Sequence, residues 1–422
     1  MAGASAQVGL KEEKTMLKQK NLISLAIATL AIVVIALAVQ HSRKPVSDFS
    51  EQAAPLVAGL ADHLNDVSRL LVTTANKNTV VTLVRKDGIW TVAEKGGYPA
   101  DLGKLREYLL KVADAKLVEK KTAKAERYTD LGVSDISDPQ AKGIAVGIDG
   151  LAAPVAFIAG VNNAQGGGTY VRRSGEEQSW LASGNLIPDK EPANWLRKEL
   201  LNIPSERIAS VTITHADGKV LRVFKDKASD PHYTIADLPK GREPSSEFAA
   251  NGLASVLAEL KLDDVAANSD IAMPDKATTV RYATFDGVIV EARTWQVADK
   301  RYVAFSAAED VERAQRHVDA ELASKAADAN AGKDKPAAAE ADSSAGAAGS
   351  PATADAAKGE ATAPAADAAT DRAQRLAEIT AEVEKLNATF KGWSFVLPGY
   401  KIGDIDKSMD DLLKPLEKKS TK

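Results

Sequence analysis

The chain has 422 residues, of which 45% are hydrophobic and 27% charged, and it carries a net charge of −4. These values are typical of a globular protein that is long enough for two domains. Lys and Arg do not outnumber Asp and Glu, so the composition does not indicate a nucleic-acid partner. Cysteine is absent, which fits a protein outside the cytoplasm, where free thiols form wrong disulfides.

An uncharged apolar run covers residues 22–39. As a helix it would be about 27 Å long, close to the thickness of the hydrocarbon core of a bilayer. Four lysines precede the run and fewer basic residues follow it, which favours a cytoplasmic N-terminus over residues 1–21. We therefore predict a single-pass anchor that contacts lipid in the inner membrane and holds a periplasmic body. A cleaved signal peptide is the alternative, because Ala36 and Ala38 form an A-x-A pattern.

A first module is predicted over residues 67–204, after a linker of residues 40–66. It begins with a hairpin, because two runs of alternating apolar and polar residues flank the turn formers at 75–78. Trp90-Thr91-Val92 follows as a strand, and Pro99-Ala100-Asp101 opens a helix in which Leu102, Leu105, Leu109 and Val112 share an apolar face. The remaining predicted elements are strands at 144–148, 155–159, 169–172 and around Trp180, and a helix near 193–201.

A second module repeats this order over residues 208–307 and 390–415. The clearest matches are Tyr233-Thr234-Ile235 with Trp90-Thr91-Val92, Pro244-Ser245-Ser246 with Pro99-Ala100-Asp101, Tyr302-Val303 with Tyr170-Val171, Trp393 with Trp180, and a helix at 408–413 with the one at 193–201. Any two α+β domains share some hairpins and helices, but ordered matches at similar gaps favour duplication. The predicted class is α+β, with a transmembrane helix followed by two tandem, duplicated, mainly antiparallel sheet-plus-helix modules.

A long insertion, residues 308–389, interrupts the second module. Apolar residues at both of its ends recur at helical spacing and predict a short antiparallel helical hairpin. Residues 328–370 consist mainly of Ala with Asp, Gly, Pro, Ser and Thr. Such a tract buries too little apolar area to offset its chain entropy, so we predict disorder there.

The sequence contains no recognisable catalytic motif. The five histidines lack the spacing that places two imidazoles on one helical face, and no cysteine can complete a zinc site. Gly166-Gly167-Gly168 precedes a strand and favours a hairpin loop over a phosphate-binding loop. The acidic pairs Asp263-Asp264 and Glu309-Asp310 have no catalytic frame around them. We therefore predict a non-enzymatic protein with no catalytic, cofactor-binding or metal-binding residues, and no cofactor.

Three groups of residues carry a resemblance to a known family. Trp90-x-Val92, then Pro99-Ala100-Asp101, then Tyr128-x-x-Leu131-Gly132 resemble the bacterial family known only as domain of unknown function 4340. The likeness covers most of residues 60–305 and again 390–415, although Met273-Pro274 replaces the Leu-Gly step in the second module. Members of that family often resemble auxiliary components of gliding-motility-type ABC transporters. The resemblance implies an envelope protein beside such a transporter and assigns no catalytic residue.

Three hypotheses on function follow. The leading one is a membrane-anchored accessory or scaffold protein of an ABC-type transport system, with transporter subunits as partners. The alternative is a periplasmic module that binds glycan or peptidoglycan through Trp90, Trp180, Trp195, Trp295 and Trp393, although most of these lie in predicted strands and favour core packing. The third is a hydrolase with an unusual carboxylate site, which would require a cleft holding at least two inward acidic side chains.

Overall fold

A computed structural model describes residues 53–164, 166–331 and 363–415. The predicted anchor at residues 22–39 lies outside these ranges, as does most of the predicted disordered tract. Within the described ranges, no helix is both long and apolar enough to cross a bilayer. The membrane anchor therefore stays a prediction from the sequence.

The first module is built on a nine-stranded antiparallel sheet with the spatial order β4-β3-β2-β1-β6-β7-β8-β9-β5. Its strands are β1 (Arg69–Thr74), β2 (Asn78–Lys86), β3 (Ile89–Val92), β4 (Tyr98–Pro99), β5 (Leu117–Lys120), β6 (Ile144–Asp149), β7 (Val155–Asn162), β8 (Thr169–Arg173) and β9 (Ser179–Ala182). The helices are α1 (Leu102–Asp114) and α2 (Tyr128–Leu131). Every pairing is antiparallel, which confirms the predicted α+β class.

Helix α1 packs on one face of this sheet. The side chain of Asp101 accepts a hydrogen bond from the backbone N–H of Lys104 at 3.0 Å and caps the helix, as predicted. The buried positions are Leu105, Tyr108, Leu109 and Val112, at the i, i+3, i+4, i+7 spacing of an amphipathic helix. Leu102, in the first turn, is exposed and does not join them.

The second module has an eight-stranded antiparallel sheet with the order β13-β12-β11-β16-β17-β18-β19-β15. Its strands are β11 (Ile208–Thr214), β12 (Val220–Phe224), β13 (Thr234–Ile235), β15 (Asp264–Ala267), β16 (Thr278–Thr284), β17 (Val288–Val297), β18 (Lys300–Glu309) and β19 (Trp393–Val396). A two-stranded sheet of β10 (Glu199–Leu201) and β14 (Leu260–Lys261) joins the modules. Helices α3 (Asn251–Ala254) and α6 (Gly399–Ile405) complete this part.

Apart from the extra edge strand β4, the two sheets have the same strand order. Val171 lies opposite Trp180 in the first sheet, and Val303 lies opposite Phe395 in the second. Trp180 therefore corresponds to Phe395, and the predicted match with Trp393 is wrong. Strand register, and not residue type, decides which positions are equivalent.

The helical layer also recurs, with a constant spacing of 145 residues between equivalent buried positions. Leu105, Tyr108, Leu109 and Val112 correspond to Ala250, Leu253, Ala254 and Leu257, all of which are buried. In the segment of the second module that corresponds to α1, only α3 is regular α-helix, and the residues on either side of it form turns. Gly252 lies in this stretch and lowers its helix propensity.

Two local predictions differ from the structure. The helix expected near residues 193–201 is a 3₁₀ turn at Pro192–Trp195 followed by β10, because Leu201 pairs with Leu260 of the second module. The linker expected over residues 40–66 is packed over its described part. Leu56, Val57 and Leu60 are buried in the same core as the first sheet.

The ends of the insertion form a helical hairpin, as predicted. Its helices are α4 (Val311–Ala331) and α5 (Ala363–Phe390). Arg372 on α5 bonds to Asp319 on α4 at 2.6 Å, which holds the helices together. Arg207 bonds to Glu382 on α5 at 2.9 Å and ties the hairpin to the start of β11. The buried residues of both sheets and of this hairpin form one continuous hydrophobic cluster.

Candidate functional site

A groove of about 350 Å³, named the first groove, lies between helix α1 and strand β3. Its floor consists of Trp90 from β3 with Leu105 and Leu109 from α1. One wall is the segment 61–65, which precedes β1, and Arg85 from β2 closes one side. The groove is open to solvent and mainly apolar, as binding sites for protein segments or small molecules usually are.

The other wall of the first groove is a ridge on α1 formed by Leu102, Arg106 and Leu110. These residues are spaced i, i+4, i+8 and therefore lie on one side of the helix. Leu102 is 52% exposed and Leu110 is 41% exposed, and Arg106 is exposed between them. The prediction that Leu102 lies on the buried face of the helix is wrong, since its side chain lines the open groove and stays largely exposed.

Charge in the first groove is mainly positive. Arg85 donates a hydrogen bond from Nη1 to the backbone oxygen of Asn65 at 2.6 Å, which fixes its guanidinium at the rim. Arg106 makes no ion pair with any residue in the described ranges. Asp62, on the wall opposite the ridge, is the acidic lining residue and is exposed.

The second module has a groove in the corresponding place, between β13 and the start of the helical layer. This second groove is smaller, about 270 Å³, and Tyr233 stands where Trp90 stands in the first. The Tyr233 hydroxyl donates to the backbone oxygens of Ser205 and Ile208, at distances of 2.9 and 2.7 Å. Burial raises the pKa of Tyr233, so this phenol stays neutral and serves packing.

The ridge positions of the two grooves differ in character. The 145-residue spacing places Glu247, Asn251 and Ser255 where the first module has Leu102, Arg106 and Leu110. Asn251 bonds to the Tyr233 N–H and to the Pro231 oxygen, both at 3.2 Å, and the Ser255 hydroxyl donates to the Gly252 oxygen. These positions of the second module are thus polar and partly engaged in internal hydrogen bonds, and of the three only Glu247 is among the residues that line the second groove. In the first groove the corresponding ridge presents two exposed leucines and an arginine.

The predicted acidic pairs have structural roles. Asp264 is bonded by Lys95 at 2.6 Å and by Lys300 at 3.1 Å. The Asp310 side chain accepts a hydrogen bond from the backbone N–H of Arg313 in the first turn of α4, and Glu309 accepts one from Thr380. Across the described ranges, no group of three or more His, Asp or Glu side chains could hold a metal ion.

The tryptophans divide into buried and accessible positions. Trp195 and Trp295 belong to the core, as the sequence favoured. Trp180 is half-buried beneath the Lys120 ammonium, and Trp393 packs against Tyr98. Of the five tryptophans, only Trp90 lines the first groove. The sequence did not predict this groove, because the leucines at helical spacing on α1 indicated only a buried face.

Comparison with known proteins agrees with the family resemblance. Residues 90–282 match the model of a family described as Domain of unknown function (DUF4340). This part of the chain begins at Trp90 and includes α1 and the second groove. No curated protein and no solved structure matches the chain significantly.

Proposed function

We propose that this chain is a non-enzymatic, membrane-anchored envelope protein that serves as an accessory or scaffold of an ABC-type transport system. Its first groove would be the contact surface for a transporter subunit. The observation that carries the proposal is an open apolar groove, with an exposed leucine-arginine-leucine ridge, on a body whose two sheets share one core. Exposed apolar clusters on a folded body mark sites of interaction with proteins, membranes or ligands.

The arrangement of the modules supports a scaffold. A continuous core across both modules makes the body resist bending, so a partner bound at the first groove would be held at a constant position relative to the second module. Sixteen residues separate the end of the predicted anchor at residue 39 from Leu56, the start of the packed segment. A tether of that length reaches at most about 55 Å, which would limit the distance of the groove from the membrane.

Mild crosslinking in native membranes, followed by purification of the full chain, tests the proposal. We expect ATPase and permease subunits to copurify with the parent protein and to be lost with Leu102→Asp. Val220→Asp is the matched control, because Val220 is 54% exposed on β12 and lies outside the groove. Absence of transporter subunits from the parent in repeated purifications would contradict the proposed function. Equal recovery with Leu102→Asp would exclude this groove as the contact.

A periplasmic glycan-binding module is the second candidate, and Trp90 in the groove floor is the observation that favours it. Retention of the protein on insoluble peptidoglycan distinguishes the two functions. Under the glycan hypothesis Trp90→Ala abolishes retention, because aromatic stacking is lost. Trp295→Ala is a poor probe, because Trp295 is buried and stacked on Tyr302, and its loss would disturb the core.

A further inference from the structure

We infer that the first groove binds an amphipathic helix of a protein partner, with a carboxylate of that helix paired to Arg106. This inference rests on the proposed scaffold function and specifies the chemistry of the bound segment. It depends on the length of the ridge, on its unpaired charge and on a comparison with the second groove.

The length of the ridge matches a short helix. Leu102 and Leu110 are eight residues apart on α1 and thus about 12 Å apart along its axis. A helix bound in a groove usually inserts side chains at i, i+4 and i+7, which span a similar distance. Trp90 and Leu109 provide the floor on which those side chains would pack.

The charge on the ridge selects an acidic partner. Arg106 lies between the two exposed leucines, and none of the described residues forms an ion pair with it. A guanidinium flanked by apolar surface pairs well with a carboxylate, because it can donate two parallel hydrogen bonds. Asp62 on the opposite wall would repel a second carboxylate, which sets the orientation of the bound helix.

Comparison with the second module shows whether the fold itself requires apolar residues at the ridge positions. The second module has the same strand order and the same buried helical positions, yet it has Glu247, Asn251 and Ser255 at the positions that correspond to Leu102, Arg106 and Leu110, and of these Glu247 lines the second groove. This architecture therefore accommodates polar residues at these positions. The second module has no apolar residue at the positions of Leu102 and Leu110, so packing within the fold does not account for these exposed leucines. Their exposure points to an external ligand.

The experiment is selection of a displayed library of amphipathic helices, two to three turns long, on the full chain in detergent. The parent and the Val220→Asp control should enrich helices with apolar anchors and one Glu or Asp at a constant position. Arg106→Glu should reverse the preference to Lys or Arg at that position, by about tenfold or more in affinity. Leu102→Asp should remove enrichment; if that variant fails to fold, Leu110→Asp replaces it.

Several outcomes would overturn the inference. They are no enrichment on the parent, enrichment without an acidic position, and an acidic preference that Arg106→Glu leaves unchanged. Parent binding to anionic phospholipid vesicles that Leu102→Asp abolishes, without helix enrichment, would assign the ridge to a lipid surface. Copurification of transporter subunits is scored separately, so the inference can fail while the proposed function stands, and the reverse.

Discussion

Tyr98 of β4 packs edge-on against Trp393 of β19, with ring centroids 5.1 Å apart and ring planes at 87°. Tyr98 is only 1% exposed and also contacts Phe395. Next to it, Gly96 approaches so closely that an added Cβ would lie 3.3 Å from the Ala267 side chain. An aromatic side chain of the first module thus fills the edge of the second sheet and joins the two cores.

Tyr98→Ala should therefore uncouple the unfolding of the two modules. Removal of a fully buried aromatic side chain costs about 3–5 kcal/mol. We expect urea unfolding, followed by tryptophan fluorescence and by circular dichroism, to change from one transition to two. Tyr400→Ala is the control, because Tyr400 is 71% exposed and its loss should change stability by less than about 0.5 kcal/mol. A single transition with an unchanged slope would show that the modules are coupled elsewhere.

The corresponding edge of the first sheet is solvated. The 145-residue spacing places Lys120 where the second sheet has the buried Val265, and Lys121 where it has Ala266. Lys120 lies over Trp180, the counterpart of Phe395, and shields it. Lysines on an edge strand oppose further strand pairing. The equivalent edges of the two sheets thus differ in their surroundings. The edge of the second sheet packs against the first module, whereas the edge of the first sheet carries lysines that oppose further strand pairing.

A second prediction concerns Asp264 of the second module, which forms an ion pair with Lys95 of the first module. Partial burial raises the pKa of Asp264, but hydrogen bonds from Lys95, the Val265 backbone N–H and Lys300 outweigh this effect and hold the pKa below its ordinary value of 3.8. A carboxyl with a lowered folded-state pKa stabilises the protein above its unfolded-state pKa. That stabilisation is lost as pH falls through the folded-state pKa.

Asp264→Asn should lower the free energy of unfolding at pH 7 by roughly 1–3 kcal/mol. It should also flatten the loss of stability below about pH 4. Urea titrations between pH 7 and pH 3 measure both effects. Asp62→Asn, at an exposed position, is the control and should change the free energy of unfolding at pH 7 by less than about 0.5 kcal/mol. Parallel profiles for the parent and Asp264→Asn down to pH 3 would contradict the role assigned to this carboxylate.

Local patterns predicted much of the fold. The match of Trp90-Thr91-Val92 with Tyr233-Thr234-Ile235 agrees with the strand registers, because alternation fixes which face each residue occupies. The cap at Asp101 followed from the residue types that precede α1. The helices at the ends of the insertion followed from the helical spacing of their apolar residues. The prediction of a helix at 193–201 was wrong because Leu201 pairs with Leu260, which is far away in sequence. No local pattern indicates such a pairing.

The site was less predictable than the fold. Leucines at helical spacing on α1 suggested one buried face, but an apolar residue at helical spacing does not reveal whether a neighbour covers it. The structure shows that the segment 61–65 and Trp90 leave Leu102 and Leu110 partly uncovered. The match of Pro99 with Pro244 already gave the 145-residue spacing, but only the burial of equivalent positions showed that it holds along the whole helical segment.

A third prediction concerns the attachment of the hairpin. Arg207 bonds to both carboxylate oxygens of Glu382 at 2.9 Å and to Asp286 at 2.6 Å. Arg207→Ala should cost about 1.5–3 kcal/mol, because charged hydrogen bonds are lost. Arg207→Lys should not restore them, since an ammonium cannot reproduce the planar fork of the guanidinium. We expect faster amide hydrogen exchange along α5 in both variants.

Arg69 provides the control for the hairpin experiment. It forms a similar pair with Asp149 in the first sheet, at 2.6 Å, but makes no contact with α5. Arg69→Ala should therefore leave hydrogen exchange in α5 unchanged. Equal protection of α5 in the parent and in Arg207→Ala would show that apolar packing alone holds the hairpin.

The last prediction concerns the close packing of the Leu131-Gly132 turn on β7. Gly132 ends α2 with a φ of +68°, which favours glycine, and the turn packs against Gly160 of β7. A Cβ at Gly160 would overlap the backbone oxygen of Leu131 and lie 2.9 Å from the Val133 side chain.

Gly160→Ala should therefore destabilise the first module by about 1–3 kcal/mol, because β7 or the α2 turn must move. Gly403→Ala is the matched control. Gly403 lies in α6 with an ordinary φ, and a Cβ added there would meet nothing within 4 Å, so alanine should be neutral or stabilise by about 0.5–1 kcal/mol. Thermal unfolding of the two variants compares them directly. Equal stability would mean that β7 and the α2 turn move apart without cost and that close packing does not require glycine at position 160.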